Sequence, residues 1–261
     1  MRLLTFFCLL LLLASCAKNE KSADYTKEEL NVTTSVYPEA INAVFEAHGG
    51  IDAWNAMNGL YFEIAKEDGN EKHYLDLKSR KSVNYYKQHV LGYDGKQVWL
   101  KKLDTTSFRS NPRFYYNLMS YFYAMPFILG DDGINYAEAP VLEADGKEYP
   151  GVLISYGDGV GESPEDEYIV YYDPETKQMT WLAYTVTFFS KEKSKKFSLI
   201  KYGDWEAIHG VVLPTTLQWH VFEDGEVGDI RNQMTFANAK LQKEAFDQSM
   251  FQVAEGAELV E

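Results

Sequence analysis

Between residues 167 and 241 the apolar positions fall into β-branched and aromatic blocks, separated by the turn residues Asp173-Pro174-Glu175-Thr176 and Asp224-Gly225. Blocks of this kind predict strands over 168–172, 179–190, 196–205, 211–222 and 227–239, joined as one antiparallel meander. Upstream, 60–66 and 72–77 flank Asp68-Gly69, a dipeptide suited to a type I′ hairpin. Strands over 82–89 and 97–103 follow, with a tight turn at Asp94-Gly95, and 134–142 and 149–156 meet at Asp145-Gly146. Phe62, Ile64, His73, Leu75 and Leu77 alternate with Glu63, Asp76 and Lys78, so one face of this sheet is expected to be covered and the other wet.

Three stretches break the alternation. Over 38–48, Ile41, Val44, Phe45 and His48 make a single helical stripe that Gly49-Gly50 ends. A further helical turn over 51–57 puts Ile51, Trp54 and Met57 on one side. The third begins at Asn111-Pro112, a cap and first helical position, and runs over 113–129. There only Asn117, Ser120 and Ala124 form a thin polar or small edge, and a helix apolar around the rest of its circumference is normally surrounded. Pro126 is expected to kink or end it, and Gly130-Asp131-Asp132-Gly133 to close it. The expected fold class is mainly β (α+β), with about ten strands joined by short up-and-down connections and helical insertions.

The first residues stand outside this pattern. Met1-Arg2 and an apolar run to Leu13 read as an export signal over 1–15, too short for a mature membrane span. Leu13-Ala14-Ser15-Cys16 resembles the bacterial lipobox, which assigns Cys16 as the lipidated residue. Residues 16–35 then read as a lipid-anchored flexible tether, polar and aperiodic, leading into a single domain over 36–261. Cys8 leaves with the signal, so no disulfide and no thiolate metal site is expected. Acyl chains contribute about 0.8 kcal/mol per buried methylene, so several on one residue make a firm anchor.

Charge narrows the partners. The full chain carries a net charge of −14, and loss of Arg2 with the signal makes it −15. Nucleic acid is disfavoured as a partner, as is electrostatic adhesion to anionic headgroups.

Candidate chemistry is sparse. His48-Gly49-Gly50 superficially matches an oxyanion-hole motif, yet no G-x-S-x-G elbow accompanies it. Asp158, Glu162, Glu165, Asp166 and Glu167 are dense in hard oxygens but fit no calcium-loop spacing. The five histidines lack metal-ligand spacing, so no metal and no cofactor is expected, and the chain reads as a non-enzyme. Lys101, Lys102, Arg109 and Arg113 precede the apolar helix, either as partners for a lipid phosphate or as a solvated hairpin edge. The helix itself is aromatic and Met-containing, suited to an apolar ligand of variable shape. Plain core packing is the alternative.

Several motifs together resemble a known family: the lipobox, a helix before the first strand, Tyr93-Asp94-Gly95-Lys96-Gln97-Val98-Trp99, the Asp173-Pro174 turn, Gly210-Val211-Val212-Leu213-Pro214, and Met234-Thr235-Phe236-Ala237-Asn238-Ala239 with Phe246, Asp247 and Phe251 after it. Over about 36–253 the chain resembles the LolA/LolB-like superfamily of lipoprotein carriers and receptors, and more closely the uncharacterised lipoproteins of that shape in Bacteroidetes-type bacteria. The resemblance implies a strongly curved antiparallel sheet forming an incomplete barrel, with a helical lid over a concave apolar face that takes up acyl chains. No counterpart of the soluble carrier's cavity arginine can be assigned, and an anchored chain fits a receptor or local binder better than a shuttle.

The expectation is therefore an envelope protein, anchored to the outer membrane through Cys16, that binds a lipid or lipoprotein acyl chains. The expected cavity lining is Phe114, Tyr115, Leu118, Met119, Phe122 and Met125 from the helix, with Trp99, Trp181 and Trp219 as walls. The rival readings are a structural or adaptor lipoprotein with a filled interior, and a periplasmic hydrolase, for which no motif is present.

Overall fold

Thirteen strands among the described residues hydrogen-bond into a single antiparallel sheet: Gly59–Ile64 (β1), Glu71–Asp76 (β2), Ser82–Tyr85 (β3), His89–Tyr93 (β4), Val98–Lys102 (β5), Ile134–Ala144 (β6), Lys147–Tyr156 (β7), Tyr168–Tyr172 (β8), Met179–Tyr184 (β9), Ser198–Ile208 (β10), Val211–Glu223 (β11), Glu226–Gln242 (β12) and Glu258–Val260 (β13). The structure is a computed structural model describing residues 36–157 and 163–260. The signal, Cys16 and the tether lie outside the described residues, as do Asp158 and Glu162 of the acidic loop. Strand order is β13-β5-β4-β3-β2-β1-β12-β11-β10-β9-β8-β7-β6, and its two ends do not pair. The sheet is thus an open, incomplete barrel, mainly β, as expected. It bends far enough to bring β6 against β12, although five strands separate them in the order.

Local chemistry explains why there are more strands than the apolar pattern predicts. Within 82–89 the chain turns back on itself, with the Tyr86 N–H donating to the His89 carbonyl at 2.9 Å, so one expected strand becomes β3 and β4. At the other end β9 stops at Tyr184 rather than running to Ser190. There the Thr187 N–H donates to Asp166 Oδ1 at 2.6 Å, the Lys191 N–H turns back to the Thr187 carbonyl at 2.7 Å, and Lys191 adopts a left-handed φ of 57°. The short β13 pairs with β5 at Val98, Trp99 and Leu100 and stops short of Lys101 and Lys102, and Lys102 Nζ meets Glu258 at 3.2 Å.

Two helices precede β1. Glu39–Ala47 (α1) buries Ile41, Val44 and Phe45, the stripe read from the sequence. Gly49 and Gly50 follow with φ of 101° and 89°. A Cβ at Gly49 would stand 1.8 Å from the Gly210 carbonyl oxygen, so only glycine lets the helix end approach the β10–β11 turn. Ile51–Asn55 (α2) then stacks Trp54 on Phe127, with ring centroids 5.0 Å apart.

The main core lies between these helices, residues 112–130 and one face of the sheet, which supplies Phe62, Ile154, Val170, Leu182, Ile200, Leu213 and Leu217. The opposite face is covered in two places and open elsewhere, with Lys72 and Thr235 exposed as the alternation predicts. Over β8–β10 it carries Ile169, Tyr171, Trp181, Ala183 and Leu199, covered by Leu142, Ala144, Phe222 and Val227 from the ends of two long hairpins. Over β3–β5 it carries Val83, Val90 and Trp99, covered by Phe251 of the 3₁₀ turn Gln248–Phe251. Each large apolar side chain so enclosed contributes about 1.5–3 kcal/mol of burial free energy, so both faces add to the stability of the sheet.

Candidate functional site

Residues 112–130 do not form one helix. Asn111 Oδ1 caps the Phe114 N–H at 3.2 Å and starts Pro112–Tyr115 (α3). The chain then breaks, restarts as Leu118–Tyr123 (α4), and ends in a 3₁₀ turn over Phe127–Gly130. At the breaks and at the end of the segment, side chains from elsewhere in the fold serve carbonyls that helical bonding leaves free. Asn84 Nδ2 donates to the Tyr116 carbonyl at 2.6 Å, Tyr202 to that of Phe122 at 2.9 Å, Tyr136 to that of Leu129 at 2.6 Å, and Tyr37 to that of Gly130 at 2.8 Å. Buried carbonyls need such partners, so the sheet fixes where the helix is interrupted.

The segment fills most of the space beneath it. Met119, Phe122 and Met125 are all no more than 5% exposed. Phe122 packs on Tyr184, with centroids 5.0 Å apart, and lies 6.2 Å from Trp219, whose Nε1 donates to the Tyr184 hydroxyl at 3.1 Å. These predicted residues are core, and the hollow expected beneath them is occupied by their own side chains.

Two clefts remain along the segment, and both include Asn117 and Tyr121. The smaller, about 120 Å³, has Phe114, Leu118, Tyr156, Tyr168 and Phe188 in its wall. The larger, about 310 Å³, is lined by Leu75, Arg80, Tyr93, Tyr116, Asn117, Ser120, Tyr121, Ile128 and Asp131. Phe114 and Leu118 border the smaller cleft, while Tyr115 packs between Tyr86 and Phe108.

Trp99 and Trp181 lie on the other face of the sheet. Trp99 points away from Val98 and Leu100, toward Phe251, whose carbonyl accepts its Nε1 at 3.3 Å. Trp181 is displaced by a bulge. Tyr171 pairs with Trp181 but Tyr172 with Met179, so Met179 and Trp181, two residues apart, belong to cores on opposite faces.

Sequence reasoning missed Leu75, Arg80, Tyr93, Ile128 and Asp131 as cleft residues. One signal was present, because Asn117 and Ser120, two of the three residues of the thin polar edge, face the larger cleft. Arg80 could not be found this way, as a turn places it. Asp76 Oδ1 accepts the N–H groups of Lys78 and Ser79 at 3.1 and 2.8 Å, and the Asp76 carbonyl accepts that of Arg80 at 2.9 Å. Arg80 is thereby held at a left-handed φ of 60°, a conformation costing roughly 1 kcal/mol for a side-chain-bearing residue.

From that turn Arg80 Nη2 reaches both Asp131 oxygens at 2.6 Å. Burial raises the Asp131 carboxyl above its ordinary range, Arg80 opposes that rise, and Asp132 adds to it. Arg80 Nη1 and Ser120 Oγ are buried with no hydrogen-bond partner in the protein. Tyr121 and Tyr156 touch through their hydroxyls, and burial raises both phenols. The arrangement can hold an apolar chain and offer it two polar contacts. Among the described residues, no group of three or more His, Cys, Asp or Glu side chains could hold a metal, and no helix is long and apolar enough to cross a membrane.

A family of unknown function, DUF6503, matches residues 81–203. No curated protein matches the chain. Among solved structures, the chain is similar to a DUF1329 family protein from Desulfovibrio piger, with 12% identity over 82% of this chain and 100% of that one, at a TM-score of 0.46. It is similar to a LolA superfamily protein from Nitrosomonas europaea, with 10% identity over 80% and 96% of the two chains, at 0.44. It is also similar to a putative outer membrane lipoprotein-sorting protein domain from Vibrio parahaemolyticus, with 7% identity over 78% and 97%, at 0.41. The superfamily expected from the turn signatures is among these similar structures.

Proposed function

We propose that the protein is an envelope protein, anchored through Cys16, that binds an apolar ligand such as a lipid or the acyl part of a lipoprotein in the cleft beside α4. The single observation carrying this reading is the 310 Å³ cleft walled by Leu75, Tyr93, Tyr116, Tyr121 and Ile128. Its volume falls at the lower end of the range of small-ligand sites. The lipobox-like Leu13-Ala14-Ser15-Cys16 supports the anchor and the envelope location. The reading assigns no chemistry to the protein.

The test uses full-length protein purified from membranes, titrated with 1-O-decylglycerol and followed by native mass spectrometry. Asn117→Trp should plug both clefts at little structural cost, because Asn117 at the start of α4 makes no capping bond with its side chain. One equivalent bound by the natural chain, and at least about tenfold weaker binding by the variant, a difference of about 1.4 kcal/mol, supports the reading. Equal binding by both sinks it. Anchoring is tested separately, since Cys16→Ser should abolish incorporation of labelled palmitate.

A second reading, a structural or adaptor lipoprotein with a filled interior, draws on the enclosed Met119, Phe122 and Met125. It would replace the first if no apolar ligand bound.

A further inference from the structure

The larger cleft carries an unanswered polar demand. Ser120 is 2% exposed and its hydroxyl has no partner. The Arg80 side chain is 36% exposed as a whole, yet its Nη1 is buried and also without a partner, while its Nη2 is engaged by Asp131. Both residues line the same, otherwise largely apolar, space. Leaving a buried donor unmatched is unfavourable, and more so for a charged group. A ligand oxygen arriving there would recover part of that cost.

The charges nearby decide which oxygen. Asp131 already neutralises the guanidinium, and Asp132 stands beside it closely enough to raise the Asp131 carboxyl. A full anion would meet a surplus of negative charge, whereas a neutral acceptor takes the same N–H and O–H donors without that repulsion.

We infer that Arg80 and Ser120 receive a carbonyl oxygen of an ester, so that the cleft takes an acyl ester, with the hydrocarbon chain against Leu75, Tyr93 and Ile128. This rests on the proposed cleft reading and adds the chemistry of the head. Ester-linked acyl chains are then selected over ether-linked or free-acid chains of equal length.

The experiment compares 1-monodecanoylglycerol with 1-O-decylglycerol, which differ by the carbonyl oxygen alone, and adds decanoate as the anionic arm. All three are titrated against the full-length protein. The natural chain should prefer the ester over the ether by about tenfold, the size of one charge-assisted hydrogen bond. Ser120→Ala and Arg80→Gln should each narrow that ratio toward one. Ser120→Ala keeps the comparison usable if loss of the Arg80–Asp131 pair unfolds the chain.

Equal affinity for ester and ether in the natural chain overturns the inference and leaves the apolar cleft standing. Decanoate binding more tightly than the ester overturns it in favour of an anion site. No binding of any of the three removes the cleft reading itself.

Discussion

Tyr202 donates its hydroxyl to the backbone carbonyl of Phe122 at 2.9 Å, in a buried contact spanning 80 residues of sequence. Four residues beyond Phe122 stands Pro126, which has no N–H to return to that carbonyl as an α-helix would require. The phenol from β10 therefore supplies the bond that the proline withholds. Tyr202→Phe should lower stability by about 1–3 kcal/mol by leaving a buried carbonyl unpaired. Urea unfolding measures the loss, and hydrogen exchange should show faster opening over 118–123. An unchanged midpoint would mean that the carbonyl finds another donor.

A second long-range clip is His48, which is buried just after α1. Its Nε2 accepts the Met179 N–H at 3.0 Å, so its Nδ1 carries the proton and donates to the Val212 carbonyl at 3.1 Å. Only the neutral ring can do both. Burial lowers its pKa from 6.5 to about 4, opposed by the bond to Val212. Between those values the unfolded chain binds the proton that the folded chain refuses. The stabilisation is therefore complete above pH 6.5 and is lost as pH falls toward 4, a difference of about 3 kcal/mol. His48→Gln should flatten the dependence of the urea midpoint on pH in that window, and a slope as steep as that of the natural chain would refute the assignment.

Gly92 of β4 lies opposite Trp99 of β5, and a Cβ there would stand 2.2 Å from the indole ring. Gly92→Ala should cost about 1–3 kcal/mol through overpacking of a wholly buried tryptophan. Gly92→Ala combined with Trp99→Leu should recover part of the loss in thermal melts, because the ring is what the methyl meets.

Phe122 and Asn117 separate core from cleft on one short helix. Phe122→Ala should lower stability by about 3–5 kcal/mol, the range for truncating a buried phenylalanine. Asn117→Trp should cost distinctly less, because the Asn117 side chain borders the clefts and makes no capping bond. If the two losses proved similar, the division of this helix into a buried face and a cleft face would be mistaken.

Much of the meander was readable because strand pattern and turn chemistry are local. Asp145-Gly146 and Asp224-Gly225 sit at hairpin turns where expected, with left-handed φ at every one of the four residues. The stripe Ile41, Val44 and Phe45 faces the core for the same reason, since a period of three to four residues survives whatever packs against it. Residues 112–130 were legible as enclosed and as kinked or ended at Pro126, but the break after Tyr115 was not, because Asn84, which donates to the Tyr116 carbonyl, comes from β3.

The larger cleft was the least legible part. Arg80 and Asp131 are 51 residues apart and meet only because the turn after β2 and the end of the 3₁₀ turn come together. Trp99 and Trp181 show a related limit. A large buried tryptophan announces a core without saying which side of the sheet that core occupies, and the bulge beside Met179 sends Trp181 to the far side. Sequence by itself determined the antiparallel sheet, its turns and the apolar character of 112–130, since propensity and periodicity act over a few neighbouring residues. The tertiary structure decided which face each aromatic covers, where the helix breaks and which polar atoms surround the cleft, because those depend on pairings between residues far apart in the chain.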